Sequence, residues 1–145
     1  MDIPEYVTKL EVNRICDELG LRDWSSMERL EVNPEEAEII LKAMDIKGMD
    51  IPVDVFRDGL EVELEHGTMY LDANVTNNHP ILTGKIVLAH LHESMDYYAR
   101  LEVAEIEGDM LKAAVAGDLL KLMTKYQDLV KAKQELAVGE VKELP

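Results

Sequence analysis

Cysteine is almost missing from this sequence. Cys16 alone among 145 residues excludes an internal disulfide and any thiolate cage for zinc or an iron–sulfur cluster. Val12, Ile15 and Leu19 surround it at helical spacing, so Cys16 reads as a small buried hydrophobe in a protein of a reducing compartment. Basic residues are scarce as well: 15 Lys and Arg stand against 30 Asp and Glu, a formal charge of −15 spread along the chain. A field of that sign repels nucleic-acid phosphates and anionic lipid and favours a cation or a basic protein partner. No apolar run approaches membrane-spanning length, and the first ten residues, with Asp2 and Glu5, lack the basic-then-apolar order of an export signal. The expectation is a cytoplasmic protein with no nucleic-acid and no membrane partner. Asn74-Val75-Thr76 then reads as a loop rather than a glycosylated sequon. A glycine-rich phosphate loop, a Gly-x-Ser-x-Gly elbow and a CxxC pair are all absent, which removes support for nucleotide binding, serine hydrolysis and thiol redox chemistry.

What remains is helical periodicity. Few stretches alternate with period two, and the length suits one domain, so residues 1–145 are expected to form a mainly α, compact bundle of five to six helices with one long central loop. A first helix is predicted over 4–19 and ends at Gly20. Residues 21–33 read as a turn or short helix, with Trp24 as a core plug and Ser25-Ser26-Met27-Glu28 resembling a capping box. Asn33-Pro34-Glu35-Glu36 is the clearest helix start: an N-cap, a first-turn proline and two acids against the helix dipole. A further helix is expected from Pro52 to an end at Gly67, and then a loop over 68–80 containing Asn74, Asn77, Asn78 and Pro80. Helices follow from near Thr83 and from an Asp96 cap, and a long C-terminal helix is expected over about 109–137, with Gly117-Asp118 as its candidate break. In that segment Leu119, Leu122, Tyr126, Leu129, Lys133 and Leu136 step by three and four, a seam that suits either the chain's own domain or a second copy.

Within the motif-bearing core, 52–106, two short strings carry chemistry. Glu63 and His66 stand three apart and share one helix face, and His90 and Glu93 repeat the arrangement in mirror order. A carboxylate oxygen and an imidazole nitrogen at that spacing converge on one point, as in helical bundles that chelate a transition metal. Glu65, Tyr98, Glu102 and Glu105 are candidates for alternate ligands or for groups that hydrogen-bond the imidazoles. Such a mixed nitrogen and oxygen set suits zinc, iron, manganese or nickel. The competing reading is structural: in a chain this acidic, Glu and His fall three apart by chance, and a buried histidine satisfied by a carboxylate is commoner than a ligand. His92 and His79 carry no assignment.

The strings FRDGLEVELEHG and NVTNNHPILTGKIVLAHLHESMDYYARLEVAE, within 56–105, resemble a family of small bacterial, archaeal and phage proteins known only as a domain of unknown function, with a weaker echo at Leu19-Gly20-Leu21 and Trp24. The resemblance points to Glu63, Glu65, His66, Gly67, Thr76, Lys85, His90, Glu93, Asp96, Tyr97 and Tyr98 as motif positions and implies no activity. Asn78-His79 stands where that pattern has acidic residues, and the long C-terminal helix lies outside it.

Two functions of different class follow. The first is a divalent-metal protein with Glu63, His66, His90 and Glu93 as ligands. The second is a non-catalytic interaction or assembly module, with the same pairs as internal clasps and a basic protein or a second copy bound through the acidic surface or the C-terminal helix. A small hydrolase using the metal to activate water is a weaker third.

Overall fold

The computed structural model describes residues 6–144. Pro4, included in the first expected helix, lies outside them. Six α-helices and one turn of 3-10 helix follow one another, with no strand among the described residues, so the class is mainly α as expected. The chain divides into two compact units, Met1–Glu93 and Ser94–Pro145.

In the first unit, α1 (Lys9–Leu19) is capped by the Thr8 hydroxyl, which accepts from the Glu11 N–H at 3.2 Å. It stops where expected: Gly20 adopts φ 70°, and the Leu21 N–H returns to the Cys16 carbonyl at 2.8 Å. The next residues form the 3-10 turn Trp24–Ser26. Its cap is Asp23, not the expected Ser25-to-Glu28 box: the Asp23 carboxylate accepts from Ser25 N and from the Ser25 and Ser26 hydroxyls at 2.6–2.9 Å. A carboxylate two positions earlier reaches all three donors, so the serines become donors rather than caps.

Helix α2 (Pro34–Ala43) starts at the Asn33-Pro34 signal. Helix α3 (Val53–Met69) passes through Gly67 and ends at Met69, two residues beyond the expected stop. The reason is lateral: a Cβ on Gly67 would lie 3.0 Å from both Asn74 Nδ2 and Asn78 Oδ1. Gly67 is therefore where the loop closes over the helix, not where the helix ends. The loop, residues 70–79, holds no extended segment, and α4 (Pro80–Glu93) begins at its proline. Val12, Trp24, Ala37, Ile40, Phe56, Leu60, Leu64 and Val87 are fully buried, so all four helices and the 3-10 turn contribute to the core.

The second unit is a helical hairpin. Helix α5 (Tyr97–Ala116) ends at Gly117, φ 70°, and α6 (Leu119–Glu143) starts from Asp118, whose carboxylate accepts the Lys121 N–H at 2.9 Å. The expected long helix over 109–137 is thus divided at Gly117-Asp118: residues 109–116 complete α5, and α6 runs on to 143. Ile106, Leu129 and Ala132 form the buried contact, flanked by Val103 and Met110. Ion pairs Asp109–Lys125 (3.2 Å), Glu107–Lys133 (2.7 Å) and Arg100–Glu140 (2.7 Å) follow the antiparallel register outward from the connection.

Candidate functional site

Glu63 and His90, expected as ligands from separate pairs, meet. Leu60 and Leu64 anchor one face of α3, Val87 and Leu91 one face of α4, and this packing turns Glu63 and His90 toward each other. Glu63 Oε1 lies 3.1 Å from His90 Nδ1, with the carboxylate side chain 11% and the imidazole 29% exposed. For a neutral imidazole this contact requires the ring proton on Nδ1, donated to the carboxylate, and so fixes the tautomer and orientation of the ring. His66 is half-buried one turn further along α3, while Glu93, the last residue of α4, and Glu65 are exposed. Tyr98, Glu102 and Glu105 belong to α5: Tyr98 is buried edge-on against Tyr97, 5.2 Å between centroids, and the two acids are exposed. Among the described residues, no three His, Cys, Asp or Glu side chains converge in a way that could hold a metal ion.

Two arrangements in this unit had no sequence signal strong enough to be singled out. Glu36, 7% exposed, receives the Arg22 guanidinium at 2.7 Å and the Arg22 N–H at 2.9 Å. Burial raises its carboxyl pKa, but the Arg22 contacts and the Asn33 N–H outweigh burial and hold it below the usual 4.5. Fourteen residues separate the partners, beyond the reach of any local pattern. His79 occupies the N-cap of α4: its carbonyl accepts the Thr83 N–H at 2.9 Å, and its Nδ1 accepts the Leu82 N–H at 3.4 Å. It is 7% exposed, and burial pushes its pKa below 6.5. The loop before it turns through Asn77 and Asn78, both at positive φ, and the Asn77 side chain donates to the Val7 carbonyl. Asparagine tolerates that conformation better than most residues, the one clue the loop offered.

The hairpin presents a different feature. Helix α6 leaves Leu120 (80%), Met123 (58%), Val130 (50%) and Val141 (66%) exposed. Of the expected seam, only part faces α5: Leu129 is buried, whereas Leu119 and Tyr126 are open to solvent.

Among the described residues no helix is long and apolar enough to cross a membrane. No curated protein and no solved structure matches the chain. A family model described as "Protein of unknown function (DUF5661)" matches residues 12–107, which takes in the Glu63–His90 and Arg22–Glu36 contacts and His79 and leaves α6 outside. That match covers more than half of the sequence, and the chain belongs to this family.

Proposed function

We propose that the protein is a non-catalytic interaction module of the cytoplasm, in which Glu63 and His90 form an internal clasp between α3 and α4. The observation that carries this reading is the exposed apolar series on α6. Scattered exposed leucines are ordinary, but an ordered apolar face on an otherwise charged surface marks a contact site. Each such side chain contributes roughly 1.5–3 kcal/mol when it is fully buried.

A mixed His and carboxylate site for zinc, iron, manganese or nickel is the second reading. One observation favours it: a metal-bound imidazole characteristically donates its other ring N–H to a carboxylate, the relation Glu63 bears to His90. His90 would then be the ligand and Glu63 the group that orients it. Titration of purified protein with each ion, followed by elemental analysis and thermal melts with and without chelator, separates the two. The interaction module predicts no stoichiometric uptake and an unchanged melting temperature. Near-stoichiometric metal, lost together with stability on chelation, would sink it in favour of the metal site.

A further inference from the structure

We propose that the occupant of the α6 face is a second copy of this chain, paired α6 to α6. The inference rests on the interaction-module reading and names its partner. Leu120, Met123, Gln127, Val130, Gln134, Ala137 and Val141 follow one another at alternating steps of three and four, all of them exposed. This is a heptad stripe displaced around the helix from Leu129 and Ala132, which face α5. It is distinct from the 119–136 seam, and none of its seven positions is charged. From Leu120 to Val141 it runs about 31 Å at ~1.5 Å per residue, three full heptads of coiled-coil seam.

Charge decides which partner fits. Helix α6 carries five lysines against four acids, one net positive charge, whereas the rest of the chain carries ten basic residues against twenty-six acids. Two copies of a −15 chain repel wherever their acidic surfaces approach, and α6 is the long element that lacks the acidic excess. An uncharged stripe there lets two copies meet along a seam that itself holds no acidic side chain. An anionic membrane would meet the same acidic surface with repulsion, and an uncharged stripe offers a basic partner no counter-charge.

Sedimentation velocity of the full chain over a wide concentration range, at low and high salt, tests the pairing. The expected result is a reversible dimer that tightens as salt rises, because screening weakens repulsion between the acidic bodies and leaves the apolar seam intact. Val130→Glu should weaken the dimer at least tenfold with helicity unchanged by circular dichroism. Leu111→Glu, at a more exposed apolar position on α5, should leave it intact. A chain that stays monomeric throughout overturns the pairing, as does a dimer that ignores Val130→Glu or responds equally to Leu111→Glu. A dimer that dissolves as salt rises does the same. The metal titrations test the module reading separately, so failure of the pairing alone can be told from failure of that reading.

Discussion

Glu63 Oε1 and His90 Nδ1 lie 3.1 Å apart across the contact between α3 and α4, so one member of each Glu/His pair of the sequence meets a member of the other. The carboxylate is the more buried partner, so loss of the imidazole takes a donor away from a partly desolvated acid. A double-mutant cycle with Glu63→Ala and His90→Ala is expected to give a coupling of about 1 kcal/mol in urea unfolding at neutral pH. The coupling should be the same with and without chelator. Additive single effects would mean that the contact holds nothing together.

The pair Arg22–Glu36 fastens the segment after α1 to the first turn of α2. Because the folded carboxyl titrates below its usual 4.5, its contribution is fully present above that value and is lost as pH falls through the lower, folded value. Glu36→Gln should destabilise the protein by about 1–3 kcal/mol at neutral pH. The difference should shrink toward zero in acid, where the native carboxyl is itself protonated. Urea melts of both proteins at neutral and strongly acidic pH check this, and a gap that persists in acid would assign the loss to shape rather than charge.

Local signals carried the helix boundaries. Gly20, Asn33-Pro34 and Gly117-Asp118 act through their own backbone preferences, and each punctuates the chain where its chemistry requires. Gly67 has the same composition cue but a different cause, since the amides of Asn74 and Asn78 occupy the space where its side chain would be. A glycine reserved for close approach and a glycine reserved for a helix end look identical in one sequence. The site divides in the same way. Spacing of three puts Glu63 beside His66 on one helix, but which residue finds a partner depends on how α3 and α4 are rotated by Leu60, Leu64, Val87 and Leu91, which no spacing encodes.

Gly84 illustrates that kind of nonlocal demand. A Cβ there would lie 2.7 Å from Met44 Sδ, 3.1 Å from Phe56 Cζ and 3.2 Å from Ile40 Cγ2. The methionine can swing aside, but Phe56 and Ile40 are fully buried and cannot. Gly84→Ala should cost about 1–3 kcal/mol through overpacking, more than the ~1 kcal/mol that alanine returns in helix propensity. Gly108→Ala, within α5 and with no neighbour of its Cβ inside 4 Å, should instead stabilise by about 0.5–1 kcal/mol. Thermal melts of the two variants should therefore move in opposite directions, and a stabilised Gly84→Ala would mean that α4 does not approach α2 and α3 so closely.

His79 couples the cap of α4 to pH. Burial depresses its pKa below 6.5, Glu11 of α1 pulls the other way, and Arg14 of α1 adds to the depression. Its Nδ1 is the acceptor for the Leu82 N–H, so a proton there removes the cap and places a cation at the positive end of the helix dipole. The unfolded chain takes up that proton near 6.5 and the folded chain only at lower pH. Stability from this residue is therefore complete above 6.5 and declines as pH falls through that value toward the folded one. This window opens above the acid range in which Glu36 acts, so the His79 contribution begins to fall first as the pH is lowered. His79→Asn keeps an N-cap acceptor and cannot titrate. It should hold its urea midpoint between neutral and mildly acidic pH while the parent's midpoint drops; an equal drop in both proteins would remove His79 as the cause.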